Sequence, residues 1–255
     1  MEDQAAPVGI ITGAGTGIGR ASAIGLGRHG WRCLLIGRRI EPLEQVAQEV
    51  RSAGGEARAA PLDVGDAAAV ERIIEKVVGD WGRIDLLMNN AGVNVRKRDL
   101  GVVSSGDWES VIAANLNGPF YLTSAVLPVM RAQRGGTIIN VSSMAAIRAS
   151  VLSGPVYSAT KAALNSLTES INASERAHGI RACAVCPGEV DTPIMEKRPF
   201  VPSAAARATM LQAEDVASVI LLVALLPQRA AVELVLMRPT VLRDVNEERR
   251  AAGSG

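Results

Sequence analysis

The sequence predicts an α/β fold: a doubly wound, parallel sheet of about seven strands with helices on both faces. Three observations predict it. Short apolar runs alternate with stretches of helical periodicity along the chain. A glycine-rich turn joins the first apolar run to the first helical stretch. Later runs end in small or polar residues, as strands do where a ligand approaches their carboxyl ends. At 255 residues, one α/β domain spanning 1–255 is the expected count.

The first strand is Val8–Thr12, and it runs into Gly13-Ala14-Gly15-Thr16-Gly17-Ile18-Gly19 and a helix to about His29. Glycines let a backbone approach phosphate, and a helix N-terminus supplies N–H groups and positive dipole. The pattern is Thr12-Gly13-x-x-x-Gly17-x-Gly19, since Ile18 stands where the last glycine of GxGxxG would fall. The second strand, Arg32–Ile36, ends in Gly37-Arg38-Arg39. An acid there would bond a ribose 2′-hydroxyl, whereas arginine pairs a 2′-phosphate. The arginines favour NADP(H) over NAD(H); the alternative is that they cap a solvated loop.

A helix is expected from Pro42 to Ala53, ending at Gly54-Gly55, and a weak strand at Ala57–Ala60 leading to Leu62-Asp63-Val64. Asp66 is a plausible N-cap for a helix to Trp81. The fourth strand, Asp85–Asn89, runs into Asn89-Asn90-Ala91-Gly92. One long helix from Trp108 to about Gln133 carries Asn115, a poor helix former that has either a polar role or a locally bonded amide.

Thr137–Val141 reads as a buried strand ending at Ser142-Ser143. Tyr157 and Lys161 follow at i, i+4 spacing, which on a helix places both on one face. A nearby ammonium favours phenolate and lowers a tyrosine pKa, so Tyr157 is expected to exchange a proton near neutral pH. The Ser143 hydroxyl is placed to bond a carbonyl oxygen beside it.

Net charge is +1 and aromatics are scarce, so nothing points to nucleic acid or a membrane surface. No apolar run approaches the roughly 18 residues of a membrane span. Met1-Glu2-Asp3-Gln4 is polar and acidic, so a cytoplasmic protein is expected. Cys183-Ala-Val-Cys186 has CxxC spacing, but on a strand i and i+3 point to opposite faces, and no second pair completes a zinc site. His29 and His178 lack ligand-like neighbours. No metal is expected.

With these motifs in order, the chain resembles the short-chain dehydrogenase/reductase family, in its branch of roughly 250 residues, from about Val8 to Thr240. The likeness rests on the Thr12–Gly19 turn, Asn89-Asn90-Ala91-Gly92, Asn115, Ser143, Tyr157-x-x-x-Lys161 and Pro187-Gly188; Thr16, where the longer epimerase branch has glycine, sets that branch aside. The resemblance implies a single Rossmann-type domain that reduces a ketone, or a 3-oxo acid, to an alcohol or the reverse. It implies Tyr157 as proton donor, Lys161 on the nicotinamide ribose, Ser143 on the substrate oxygen and Asn115 in a water relay with Lys161. Ser142 is the neighbouring, non-catalytic hydroxyl. For the cofactor it implies Gly13, Thr16, Gly17, Ile18 and Gly19 at the phosphates, Arg38 and Arg39 nearby, Asp63 and Val64 at adenine, Asn90, Ala91 and Gly92 beside them, and Pro187, Gly188, Val190 and Thr192 at the nicotinamide half. The alternatives are an NAD-dependent dehydrogenase, a regulatory or scaffold protein that binds nucleotide without chemistry, and a lyase or isomerase using Glu189 or Asp191.

The end, Val232–Thr240, lacks a glycine-rich finish and resembles NADP-dependent 3-hydroxy acid (serine-type) dehydrogenases. Helices around Trp108–Gln133 and Tyr157–His178 match those of the family's dimer interface, so a homo-oligomer, dimer or tetramer, is expected. Substrate walls are expected at Val93–Leu100, Met144–Val156 and a mobile loop at about 189–211 carrying Ile194, Met195 and Phe200. The basic run Arg96-Lys97-Arg98, and Arg148, either recognise a carboxylate or form a solvated face. The chain ends in a polar tail from about 246 to 255.

Overall fold

A computed structural model describes residues 5–246. Its elements are β1 (Val8–Thr12), α1 (Gly17–Arg28), β2 (Arg32–Gly37), α2 (Ile40–Ser52), β3 (Glu56–Pro61), α3 (Ala67–Trp81), β4 (Leu86–Asn89), α4 (Ser105–Ile112), α5 (Gly118–Gln133), β5 (Gly136–Val141), α6 (Pro155–Glu175), β6 (Ile180–Pro187), α7 (Ala204–Arg207), α8 (Ala213–Leu225) and β7 (Leu234–Met237). The strands form one sheet in the order β3-β2-β1-β4-β5-β6-β7, every pair parallel. This is the expected doubly wound architecture. Met1–Gln4 and most of the polar tail lie outside the described residues.

The strands read as continuous apolar runs because both faces of the sheet are covered. Successive side chains go to opposite cores. Ile11, Leu35, Leu86, Ile139 and Cys183 pack on one face with α1, α2 and α8. Ile10, Leu34, Leu87 and Ile138 pack on the other with α3, α5 and α6.

Local chemistry moves some boundaries from their expected places. Helix α2 starts at Ile40, ahead of Pro42. Proline is tolerated there because first-turn N–H groups have no intrahelical acceptor. Strand β4 starts at Leu86: Asp85 instead binds the Val8 N–H at 2.8 Å through its carboxylate and pairs with Arg83 at 2.7 Å. Asp66 caps α3 as expected, accepting from Ala69 N at 3.0 Å.

The expected helix from Trp108 to Gln133 begins earlier and is interrupted. Ser104 caps α4, accepting from Asp107 N at 3.0 Å. Residues Ala113–Asn117 then form one π turn, in which Gly118 N bonds Ala113 O. A π turn inserts one residue into the helix and re-aims the side chains around it. The side chain it re-aims here is Asn115.

Candidate active site

The strand order reverses between β1 and β4, so their carboxyl ends flank a crevice, the place where such sheets bind ligands. Side chains tie the two ends together. Thr12 Oγ1 accepts from Asn90 N and Ala91 N, both at 2.9 Å, and donates to Met88 O at 3.2 Å. Asn90 Nδ2 donates back to Thr12 O at 2.9 Å and Gly13 O at 3.2 Å. Gly13 lies at φ +62°, in the left-handed region that favours glycine. A Cβ on Gly19 would sit 2.3 Å from Gly13 O, so that glycine lets α1 press against the turn. Helix α1 opens onto the crevice with no side-chain cap and no acid in its first turn. Its free N–H groups and dipole suit an anion.

The crevice is a cleft of about 320 Å³. It brings together Gly13, Thr16, Gly17, Ile18, Arg38, Asn90, Ala91, Gly92, Ser143, Tyr157, Lys161, Pro187, Gly188, Val190 and Thr192. An adjoining hollow of about 370 Å³ shares Gly13, Arg38, Ala91 and Gly92 and adds Asp63 and Val64. Gly19 and Arg39 line neither: Gly19 lies beneath the turn, and Arg39 is the exposed N-cap residue of α2. Pro193 and Lys197 line the cleft from within the expected 189–211 loop, while sequence reasoning missed Ser110, Ala113 and Ala114 of the hollow. The one signal for those three was closeness in the chain to Asn115.

Ser143, Tyr157 and Lys161 meet at the inner wall. Ser143 leaves the end of β5, accepts from Ala145 N at 3.1 Å, and lines the cleft together with Tyr157. Helix α6 starts at Pro155, so Tyr157 is in its first turn and Lys161 one turn on. Lys161 Nζ lies 5.6 Å from the centre of the Tyr157 ring and donates to Val141 O at 2.8 Å. Burial lowers the Lys161 pKa to about 8. Ser142 is fully buried and donates to Lys161 O at 3.1 Å, so it supports the helix while Ser143 faces the cleft.

The expected lowering of the Tyr157 pKa by Lys161 is corrected here. Burial dominates and pushes the phenol up; the Ser143 hydroxyl and the charges of Arg98 and Arg198 act against it. The Lys161 ammonium is turned to the Val141 carbonyl, and the nearby cations that favour phenolate come from the loops.

Asn115 is fully buried, and its amide brackets one residue. Its Oδ1 accepts from Val93 N at 2.8 Å, and Nδ2 donates to Val93 O at 3.0 Å and Thr160 Oγ1 at 3.3 Å. The π turn aims the side chain there. A Cβ on Gly92 would lie 3.4 Å from Asn115 Oδ1 and 3.5 Å from Lys161 Nζ, so glycine leaves the space between them open.

Beyond Ser143 a second cavity of about 390 Å³ runs past Arg148, Leu152, Gly188, Glu189 and Arg238 to Val241 and Leu242. Phe200 borders neither this cavity nor the cleft and is about half exposed. Burial would raise the Glu189 pKa, but hydrogen bonds from Arg243 and Arg198, at 2.6 and 2.7 Å, hold it below the usual range. Asp191 accepts from Arg207 at 3.2 Å. Neither carboxylate is left as a spare acid or base. The basic run divides: Arg98 is buried and bonded to carbonyls, while Arg96 and Lys97 are exposed; Arg148, outside the run, is exposed on the cavity wall. All three cysteines are buried free thiols; Cys183 packs in the α1–α8 core while Cys186 faces Asn165 of α6 at 3.6 Å. Among the described residues no cluster suits a metal ion, and no helix is long and apolar enough to cross a membrane.

Comparison with known proteins agrees with this geometry. The family model for short chain dehydrogenases matches residues 7–199. The 3-oxoacyl-[acyl-carrier-protein] reductase FabG of Thermotoga maritima is 36% identical over 190 residues, 74% of this chain and 76% of its own. A metagenomic short-chain oxidoreductase solved in complex with NADP superposes with a TM-score of 0.80 at 34% identity, covering 92% of this chain and 98% of that one. The closed form of serine dehydrogenase complexed with NADP+ gives 0.83 at 28% identity, covering 94% and 97%. A parallel sheet whose switch-point cleft holds the glycine turn, the serine, the tyrosine and the lysine therefore has a plain identity: this chain belongs to the short-chain dehydrogenase family and is an NAD(P)-dependent oxidoreductase.

Proposed function

We propose that the protein interconverts a ketone and a secondary alcohol with NADP(H), using Ser143, Tyr157, Lys161 and Asn115. The observation that carries this reading is that Ser143, Tyr157 and Lys161 line the same cleft as the glycine turn, with Lys161 Nζ 5.6 Å from the centre of the Tyr157 ring. A bound nicotinamide dinucleotide phosphate would supply or accept the hydride. The residues present fit that group: the uncapped α1 N-terminus with Gly13, Thr16, Gly17 and Ile18 suits the pyrophosphate, and Arg38, flanked by Arg39, suits a 2′-phosphate. Asp63 and Val64 would hold adenine, with Asn90, Ala91 and Gly92 between. Pro187, Gly188, Val190 and Thr192 would hold the nicotinamide half.

In the reducing direction Tyr157 gives its proton to the substrate oxygen, and Ser143 donates a hydrogen bond to that oxygen as charge builds on it. In oxidation Tyr157 takes the proton. Lys161 would bond the nicotinamide ribose. The gap beside Gly92 gives a relay water room between Asn115 and Lys161.

A second reading concerns the substrate. The side chains of Arg148 and Arg238 are exposed on the cavity beyond Ser143 and have no hydrogen-bond or ion-pair partner among the described residues. They favour a carbonyl compound that carries a carboxylate, such as a 3-oxo acid. We further propose a homo-oligomer through α5 and α6, since Phe120 on α5 is about half exposed; light scattering after size exclusion reads the mass.

The test is a panel of carbonyl compounds, short oxo acids and hydrophobic ketones together, followed by NADPH absorbance. At least one is consumed by the wild-type protein. Tyr157→Phe lowers turnover by about a thousandfold and leaves NADPH affinity within about twofold. Undiminished turnover in that variant overturns the reading.

A further inference from the structure

Arg98 is an arginine from an exposed-looking basic run that is only 6% exposed. Its guanidinium binds three backbone carbonyls. Nε donates to Val95 O at 2.6 Å, Nη1 to Leu152 O at 2.5 Å and Nη2 to Lys197 O at 2.9 Å. Those acceptors lie on three separate walls of the site: the loop after β4, the loop before α6, and the loop after β6. Two are 54 and 99 residues away in the chain.

Neighbouring contacts repeat the same joins. Asn94 Nδ2 donates to Ser153 O at 2.9 Å, and Arg96 Nη2 to Glu196 O at 3.1 Å. A Cβ on Gly154 would fall 2.8 Å from Arg98 Cβ, at φ +76°, so the chain enters α6 through a glycine because Arg98 packs there. The residues just past that glycine carry Tyr157.

We propose that Arg98 is a positioning residue: its guanidinium clasps the three loops that wall the substrate side and so sets where the substrate meets Tyr157. A planar fork with five N–H donors suits a junction of carbonyls; a lysine keeps the charge but not the fork. Burial and the charge of Arg198 lower the Arg98 pKa to about 10, so it remains a cation at neutral pH. The groups facing the Tyr157 phenol are Arg98 and Arg198 from the loops, Ser143 from the end of β5 and Lys161 from α6.

The two contributions separate in two variants, Arg98→Lys and Arg98→Met, each compared with wild type by hydrogen–deuterium exchange of the ligand-free protein. Both variants are expected to exchange at least about tenfold faster at 150–156 and at 195–200 together, while the α1 segment is unchanged. Faster exchange confined to 93–100, or no change in the remote loops, overturns the proposal. This measurement needs no substrate, so it stands apart from the proposed function. With a carbonyl from the panel that wild type reduces, a second measurement rests on that function. Arg98→Lys is expected to raise KM about tenfold with kcat and NADPH affinity within about threefold. Arg98→Met is expected to show the same rise and also to move the tyrosine limb of the oxidation pH profile to higher pH, since a cation that favours phenolate is gone. An unchanged KM in both variants counts against a positioning role even where the loops loosen.

Discussion

The two halves of the cleft are held together by different means. At the glycine turn, short side chains join the ends of neighbouring strands: Thr12 and Asn90 exchange bonds with each other's backbone across β1 and β4. On the substrate side, long cationic side chains span loops. Arg98 gathers three carbonyls, Arg198 and Arg243 hold Glu189, and Arg207 pairs with Asp191 and Glu196. The first half inherits its rigidity from the sheet. The second has little regular structure, and its shape rests on a few arginines. A binding surface built that way alters its ligand by exchanging loop residues while the sheet stays as it is.

The largest effect expected from breaking the sheet-borne half is at Gly19. In Gly19→Ala the new methyl would meet Gly13 O at 2.3 Å, and a backbone carbonyl cannot step aside as a side-chain tip can. A loss of about 3 kcal/mol of stability is expected, at the upper end of overpacking penalties. NADPH affinity should fall at least about tenfold, because the displaced turn is the proposed phosphate site. Gly79→Ala in α3 is the control: a Cβ there meets nothing within 4 Å, and helix propensity predicts a gain of up to about 1 kcal/mol. Thermal unfolding and NADPH fluorescence titration read both. Equal, mild effects would show that the turn yields.

The same division decides what was legible beforehand. Thr12, Gly13 and Asn90 stand at strand ends and Gly17 at the start of α1, where chain order alone brings them to the switch point, and the Tyr157–Lys161 pair needs only helical spacing. Arg98 was not legible. Within Arg96-Lys97-Arg98 nothing in composition marks the third residue for burial, and its acceptors are carbonyls of distant loops. The π turn was hidden too, since apolar periodicity near 3.6 residues does not register one inserted residue; Asn115 within the helix was the only hint. The direction of the Tyr157 shift depends on burial, which a sequence pattern does not measure.

Lys161 stands where the halves meet and sharpens the comparison, because its ammonium is buried with a single carbonyl partner among the described residues. Unfolded, it holds its proton to about pH 10.4; folded, it releases it from about pH 8. Between those values the unfolded chain binds more protons, so this group's contribution to stability rises with pH. Below about pH 8 the full burial penalty is present. Lys161→Met is therefore expected to be more stable than wild type at pH 7, by roughly 2 kcal/mol once the lost bond to Val141 is allowed for. That advantage should shrink steadily above pH 8 and vanish near pH 10. Paired unfolding curves across that range check it; a pH-independent difference would place the ammonium in a wetter site.

Arg38 carries the smallest of these effects and tests whether the proposed preference for NADP(H) rests on the sheet or on one side chain. It borders both the main cleft and the adjoining hollow, follows Gly37 at the end of β2, and has no hydrogen-bond or ion-pair partner among the described residues. An exposed guanidinium held by nothing gains most from a dianionic partner, and gains little from a plain hydroxyl. Arg38→Ala is accordingly expected to weaken NADPH binding about tenfold, roughly 1.4 kcal/mol, and to leave NADH within about twofold. Rising salt should narrow the gap between the two cofactors in wild type and not in the variant, because an exposed ion pair is screened. Should NADPH and NADH weaken together, Arg38 would be shaping the turn, and selectivity would have to come from Arg39 or from the sheet edge; should neither change, the end of β2 would not be reading the cofactor at all.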